Sequence, residues 1–332
     1  MKIEEIINKT INKTSLNLEE SKILFQNIME GKINDKILKN ILVSLSEKGE
    51  TIEEITGGAL VLREKSTKVD ISGDIIDTCG TGGDGKNTIN ISTAVAIILA
   101  SMGNKVAKHG NKSVSSKSGS ADVLEKLGVN INLTSDQVKE SIEQNNFGFM
   151  FAPNYHSAMK NVANVRKELK KRTIFNLLGP LCNPAQVKRQ CIGVFSNEIL
   201  KKYINVLKEL NLKKAWVYHS YDGLDEISIF KKTKVYELND RKISSFEINP
   251  EDLIKNKYEL NQIIGDDAEF NAKKIINLFN GEEGALHEIV SLNCAAGLIV
   301  LDKFKNLNDA FNYSKDYIKS KKVVNFLEKI SK

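Results

Sequence analysis

Residues 77–93 read Asp-Thr-Cys-Gly-Thr-Gly-Gly-Asp-Gly-Lys-Asn-Thr-Ile-Asn-Ile-Ser-Thr. Four glycines, Gly80, Gly82, Gly83 and Gly85, follow Ile75 and Ile76, which read as the end of a buried strand. An apolar run over 94–102 predicts a buried helix, with Ser92 or Thr93 as its N-cap. Glycines let backbone N–H groups approach a ligand closely, and a helix start adds partial positive charge. That is the local geometry of a phosphate cradle. Two common patterns match the letters but not the chemistry. Gly80, Gly82 and Gly85 fit G-x-G-x-x-G, yet the next strand ends in Lys108-His109, where a dinucleotide site needs an acid for the ribose. Gly80 to Lys86 fits G-x-x-x-x-G-K, yet Asn87 stands where a P-loop needs Ser or Thr, and Asp84 puts a carboxylate in the anion nest. An ordinary glycine-rich turn is a third reading. A fourth makes use of the acid: a carboxylate among phosphate-binding amides can hold a sugar hydroxyl or a metal-bound water, with Asn90, Ser92 and Thr93 adding hydrogen-bonding groups.

Residues 105–124 carry a second polar concentration. A short strand leads into a stretch with Lys108, Lys112, Lys117 and five serines, and a helix begins near Gly119. Lysines and hydroxyls this close suit a polyanion. Taken alone, such a composition reads as a solvated loop. Its position directly after a second strand of the same α/β series favours the ligand.

Together these stretches resemble the anthranilate phosphoribosyltransferase family. The resemblance is carried by Gly80-Thr81-Gly82-Gly83-Asp84, Asn90 to Thr93, and Lys108-His109-Gly110-Asn111 to Asp122. Three later segments agree: Asn164-Val165-Arg166 to Asn176, Leu178-Gly179-Pro180-Leu181-Cys182-Asn183-Pro184-Ala185, and Asp222-Gly223-Leu224-Asp225-Glu226. Order and spacing match over nearly all 332 residues.

The resemblance implies transfer of a phosphoribosyl group from phosphoribosyl pyrophosphate to the amine of anthranilate, through a loose, oxocarbenium-like displacement in tryptophan biosynthesis. It implies that Gly80, Gly82, Gly83 and Asp84 hold pyrophosphate and ribose, and that Thr88, Asn90, Ile91, Ser92 and Thr93 meet the 5-phosphate. Lys108, His109, Gly110, Asn111, Lys112, Ser113, Val114, Ser115 and Ser116 would close over the donor, with Ser120 adding a contact. Gly80, His109, Asn111, His156, Arg166, Gly179 and Pro180 would surround anthranilate. Two magnesium ions are implied, one held with Ser92 and the other by Asp225 and Glu226. No residue is assigned as acid or base, because an aniline amine is already neutral with a free lone pair at pH 7. Positioning and electrostatics then carry the rate.

Several of these residues have plainer readings. Adjacent acids after a glycine are commonly solvated turn residues. Asp225 and Glu226, however, follow the apolar run 216–219, and ligands in α/β sheets bind beyond strand carboxyl ends. A helical Arg166 between Val165 and Lys167 reads by itself as surface; as an anthranilate ligand, its planar fork matches a carboxylate. His109 and His156 lack a second ligand at helical spacing and are not metal ligands by pattern; His219 and His287 read as structural. Lys170 and Cys182 depart from the family pattern, which commonly has glycine and threonine there. Two rivals share the fold. A pyrimidine nucleoside phosphorylase has no use for a magnesium-binding acid pair, and a nucleic-acid-binding relative would lack Asn111 and Arg166 as acceptor residues.

Composition sets outer bounds. Lys plus Arg number 48 against 42 acids, and the net charge of +6 does not demand a nucleic-acid partner. Cys79, Cys182, Cys191 and Cys294 form no C-x-x-C pair, as expected of reduced thiols in a cytoplasmic protein. The acidic, amphipathic start is unlike a signal peptide, and the apolar run at 94–100 is far shorter than the roughly 20 residues of a membrane span.

The elements that must position these residues fall into two groups. Asn17, Asn34 and Thr51 open three amphipathic helices with no strand among them. From Asp74 on, strand candidates at 75–76, 105–108, 129–131, 147–151, 191–195, 215–219 and 234–238 alternate with helices, among them one at 135–145 capped by Thr134 and Gln137. A helix at 158–169 interrupts this series, and two more, about 284–301 and 307–320, close the chain. The expected fold is α/β: a small helical domain plus a large domain with a mostly parallel sheet flanked by helices. The resemblance implies a discontinuous small domain of 1–70 plus about 160–185, a donor-binding domain of 71–159 and 186–332, and a homodimer formed through the helical domain.

Overall fold

A computed structural model describes residues 2–113 and 117–331; the expected donor residues Val114, Ser115 and Ser116 lie outside the described residues. Seven strands form one sheet: β1 Ile75–Gly80, β2 Lys105–Gly110, β3 Phe147–Phe151, β4 Arg189–Gly193, β5 Lys214–Ser220, β6 Thr233–Asn239 and β7 Lys242–Ile248. Their order is β3-β2-β1-β4-β5-β6-β7. The first five pair in parallel, whereas β5–β6 and β6–β7 are antiparallel. All five residues of β4 are buried, as parallel strands covered on both faces require. The chain winds outward from β1 to β3, then crosses to β4 on the other side of β1, so the direction reverses between β1 and β4. Crevices at such switch points, beyond the carboxyl ends of the strands, are where α/β sheets bind ligands. Gly80 is paired with Gly193 at that edge.

Four helices precede the sheet: α1 Ile3–Ile11, α2 Leu18–Met29, α3 Asp35–Lys48 and α4 Ile52–Lys65. Asn17 with Glu20 and Thr51 with Glu54 make reciprocal capping boxes, and Asn34 accepts from Ile37 N at 3.0 Å. Three of these are the helices expected from their caps; α1 has no such signal, because its cap position is Lys2 and makes no side-chain hydrogen bond. The later helices are α5 Ile91–Ser101, α6 Ser120–Lys126, α7 Ser135–Asn145, α8 Ala152–Tyr155, α9 Lys160–Leu169, α10 Ile174–Leu178, α11 Asn197–Glu209, α12 Ala268–Phe279, α13 Ala285–Val300, α14 Leu307–Lys319 and α15 Lys322–Ile330. Of these, α8, α10, α12 and α15 were not anticipated.

One core packs α5 and α13 against the sheet, so closely that a Cβ on Gly297 would stand 2.6 Å from Leu99 Cδ1. The second core joins α1–α4, α9 and α10 to α11, to Cys79, Ile192 and Val217 of the sheet, and to Val194 just after β4. The apolar faces of the first helices are therefore buried within the chain itself. Asn161 on α9 donates to Met29 O at 2.7 Å, tying this later helix to α2.

Two expectations about strands and one about a cap fail. Residues 129–131 are loop: Asn130 Oδ1 accepts from Asn132 N at 2.9 Å, a local turn that competes with strand pairing, while Val129 and Ile131 are buried without ladder partners. β7 was missed because its hairpin turn is Asp240-Arg241, both at positive φ, without the glycine that marks such turns. Helix α5 begins at Ile91, earlier than expected. Ile91 N donates to Ile89 O at 2.7 Å across a tight turn at Asn90, so Ser92 and Thr93 belong to the first helical turn and do not cap it.

Candidate active site

β1 ends in Gly80, and the chain then turns through Gly82, Gly83 and Gly85, at φ of 65°, 80° and 72°. These left-handed conformations suit glycine. Asp225, from the loop after β5, reaches into this turn: its Oδ2 accepts from Gly82 N at 2.9 Å. Close approach requires two missing side chains. A Cβ on Gly80 would stand 2.4 Å from Asp225 Oδ2, and one on Gly193 would stand 1.5 Å from Asp225 O. Burial pushes the Asp225 carboxyl up to about 7, and the charge of Asp84 adds to the shift. Burial likewise raises Glu226 well above the usual carboxylate range, with Asp225 contributing and Lys108 opposing. Asp84 Oδ1 accepts from Lys86 N at 3.0 Å, while its buried Oδ2 has no hydrogen-bond partner.

Beneath the loop lies Lys108. It sits in the strand expected at 105–108, within β2, and is fully buried. Its Nζ donates to Thr78 O at 2.6 Å and reaches Ser92 Oγ at 3.5 Å. Burial lowers its pKa, and the charges of Asp77, Cys79 and Glu226 act in the other direction. Asp77 accepts from Asn183 Nδ2 at 2.8 Å, and the same amide donates to Ala107 O at 2.8 Å.

The expected acceptor residues converge on one cavity of about 580 Å³. Gly80, His109, Asn111, His156, Arg166, Gly179 and Pro180 all line it, with Thr81, Met159, Phe175, Leu178 and Cys182 among the others. The imidazoles of His109 and His156 have centroids 5.0 Å apart. Burial holds His109 down to about 3, with His156 adding to the effect, and burial holds His156 down to about 4. Both rings are therefore neutral at pH 7. Arg166 lies over the Phe175 ring, 5.4 Å from its centroid, and burial lowers its pKa. The cavity thus offers the Arg166 guanidinium, with Lys112 and Lys160 also on its lining, two neutral imidazoles and apolar walls to a small planar anion.

Its far wall, residues 174–185, is held by buried polar side chains. Arg63 Nε donates to Leu181 O at 2.6 Å, Tyr203 OH to Leu177 O at 2.7 Å and Gln190 Nε2 to Pro180 O at 2.9 Å. Cys182 is part of this wall, and burial pushes its thiol up to about 12. Lys170, the other departure from the family pattern, terminates α9 at φ 47°, a left-handed position that explains the glycine commonly found near it.

The remaining candidates are distributed as follows. Thr88 bridges to Ile264, and Asn90 accepts from Asn271 Nδ2 at 2.9 Å. Ile91 and Thr93 are buried at the start of α5. Asp122 accepts from Ser113 N and from Gly119 N, each at 2.9 Å, and Ser120 Oγ donates to Asn111 O at 3.4 Å. Lys112 lines the cavity but pairs at 2.8 Å with Glu125, and Lys117 pairs at 2.7 Å with Asp266. His219 and His287 contact backbone carbonyls, at 2.7 Å to Val194 O and 3.3 Å to Lys315 O. The sequence reading assigned no role to Arg172, whose Nη2 donates to Gly83 O and whose guanidinium lies over the Phe195 ring, 3.4 Å from its centroid.

A divalent cation suits the acid cluster. Asp84 has an orphaned buried oxygen, and burial raises Asp225 and Glu226, with the charge of Asp84 adding to the first and that of Asp225 to the second. Among the described residues, no three His, Cys, Asp or Glu side chains form a ready-made metal cage. Magnesium does not need one, since it takes one or two carboxylates and completes its shell with phosphate and water.

Residues 72–323 match the glycosyl transferase family a/b domain, and residues 4–66 match the glycosyl transferase family helical bundle domain. The chain is 52% identical over 324 residues to anthranilate phosphoribosyltransferase of Pelagibacter ubique, covering 98% of each. Its fold matches the crystal structure of anthranilate phosphoribosyltransferase from Thermus thermophilus with a TM-score of 0.93 and 35% identity, covering 98% of each chain. It also matches the enzyme from Saccharomyces cerevisiae, solved in complex with PRPP and Mg, with a TM-score of 0.90 and 25% identity over 98% of this chain and 96% of that one. The glycine loop, the acid pair and the arginine-bearing cavity thus sit on a fold and sequence shared end to end with these enzymes, and the chain belongs to the anthranilate phosphoribosyltransferase family.

Proposed function

We propose that the chain transfers the phosphoribosyl group of phosphoribosyl pyrophosphate to the amine of anthranilate, releasing pyrophosphate, with magnesium. The observation that carries this reading is the meeting of two unlike half-sites at Gly80: the cavity holding Arg166 and the imidazole pair opens there onto the glycine loop and its acids. A planar carboxylate-bearing aromatic fits the first half, and a diphosphate fits the second.

The roles follow from position. The Gly83 amide and the first turn of α5 receive donor oxygens, the Gly82 amide holds Asp225 beside them, and Lys108 lies buried beneath. Arg166 and Asn111 orient anthranilate with its amine toward Gly80. Neutral His109 and His156 line the aromatic slot without charging the amine. Two magnesium ions, one near Ser92 and one at Asp225 and Glu226, would offset the charge of the diphosphate. The divisions 1–70 with 160–185 and 71–159 with 186–332 are part of the same reading, supported by the burial of Val162, Ile174 and Phe175 in the core of the first helices. Pairing of two copies through the helical unit is a further part of the same reading, implied by the family resemblance. No described helix is long and apolar enough to cross a membrane. The four buried free cysteines suit a cytoplasmic location. Loss of anthranilate fluorescence on addition of phosphoribosyl pyrophosphate and magnesium tests the activity; no loss at any enzyme concentration overturns it.

A further inference from the structure

We propose that Arg172 is a donor-binding residue, the guanidinium with which the segment joining α9 to α10 grips the diphosphate of phosphoribosyl pyrophosphate. The inference rests on the transferase reading above and extends it to a side chain with no assigned role.

Arg172 follows Lys170 and Lys171 in the run that carries the family resemblance, and it is exposed. Its surroundings differ from those of a surface cation. Its own carbonyl accepts from Ser46 Oγ at 3.3 Å, which ties the backbone to α3. Its guanidinium lies over Phe195 at 3.4 Å from the ring centroid, and Phe195 N in turn donates to Thr81 Oγ1 at 3.2 Å. Its Nη2 donates to Gly83 O. A Cβ on Gly83 would stand 3.0 Å from that same nitrogen, so the arginine occupies the space that the glycine leaves open.

The backbone is therefore tied at one point and the guanidinium held at two before any ligand arrives, and it is oriented at the phosphate loop. Asp84 and Asp225 both act on its charge, which places it within the electrostatic reach of the acid cluster. An arginine carries five N–H donors in one plane, and the bond to Gly83 uses one of them. The remaining fork matches phosphate oxygens, and stacking on an aromatic ring lowers the entropy lost on forming those bonds. A residue needed only to staple the loop would not require a planar cation beside the acid cluster. A diphosphate binder does, because Lys108 is held below the loop, whereas Arg172 reaches the loop at Gly83 from the segment between α9 and α10.

The test compares Arg172→Ala and Arg172→Lys with wild type by calorimetric titration with magnesium pyrophosphate and, separately, ribose 5-phosphate, alongside melting curves and steady-state rates. Arg172→Ala should weaken magnesium pyrophosphate and raise the donor KM roughly ten- to a hundredfold. Ribose 5-phosphate affinity and the anthranilate KM should stay near wild type. Arg172→Lys should recover part of the loss, and it carries the test should the alanine variant fail to fold. Unchanged pyrophosphate affinity, or equal losses for both ligands, overturns the inference in favour of a loop staple. Inactive wild-type enzyme would instead overturn the transferase reading, so the two failures are distinguishable.

Discussion

Asn183 holds Asp77 across the sheet: its Nδ2 lies 2.8 Å from Asp77 Oδ2 and 2.8 Å from Ala107 O, while its Oδ1 accepts from Ala185 N at 2.9 Å. A single fully buried amide thus joins the wall of the acceptor cavity to β1 and β2, the strands that deliver the glycine loop and Lys108. Buried networks of this kind fix relative position, because breaking one member leaves the others unsatisfied. The two half-sites are locked together below the place where the substrates meet.

Asp77 should make stability depend on pH in an unusual direction. Burial pushes its carboxyl from 3.8 up to about 6, against the pull of Lys108 and Asn183. Between pH 4 and 6 the folded state keeps a proton that the unfolded chain has released, so stability is full below this window and falls as pH rises through it. A shift of about two units corresponds to roughly 3 kcal/mol. Asp77→Asn removes the titration, so its melting temperature should vary less over this window than that of wild type. Loss of the counter-charge to Lys108 should also raise the donor KM. Parallel melting curves across the window in both proteins would remove Asp77 from this role.

Asp225→Asn with Glu226→Gln should separate stability from function. The pair is strained by burial and by like charge, so neutralising it should leave the melting temperature unchanged or higher. Magnesium-dependent turnover should collapse. Wild-type rates across a magnesium titration would show that these acids do not hold the metal.

Arg166→Ala should act on the acceptor alone. Loss of a charge-assisted, bidentate contact costs about 1.5–3 kcal/mol, or roughly ten- to a hundredfold in KM for anthranilate. The donor KM should stay within a factor of about two, well below that range. Equal changes in both constants would mark Arg166 as a structural partner of Phe175, over whose ring it lies.

How much of this could be read in the sequence depended on the range of the interactions. The caps of α2, α3, α4 and α7 are local hydrogen bonds within four residues, and each was legible. The glycine loop was legible because its conformation excludes most other residues. β7 was not, since Asp240-Arg241 adopts positive φ without announcing it. Arg172 was not, since Gly83 and Phe195 come to it only through the fold, and nothing in Lys-Lys-Arg distinguishes a stacked guanidinium from a solvated one. The network of Asp77, Asn183 and Lys108 was hidden for the same reason.

Gly80→Ala offers the sharpest test of the loop because it adds one methyl and no backbone strain. Its Cβ would stand 2.4 Å from Asp225 Oδ2, the atom that accepts from Gly82 N. The methyl should push the carboxylate off that amide and misplace it for magnesium and donor, with little effect on melting. Gly73→Ala makes the opposite comparison. Gly73 lies at φ +101° with nothing within 4 Å of its Cβ, so the substitution strains the backbone without touching the site. It should lower the melting temperature and leave donor affinity intact. Calorimetric titration with phosphoribosyl pyrophosphate and magnesium, with a melting curve for each variant, reads both effects. Normal donor affinity in Gly80→Ala would mean that the contact between Asp225 and the loop plays no part in binding, and the donor half of the site would have to be sought elsewhere.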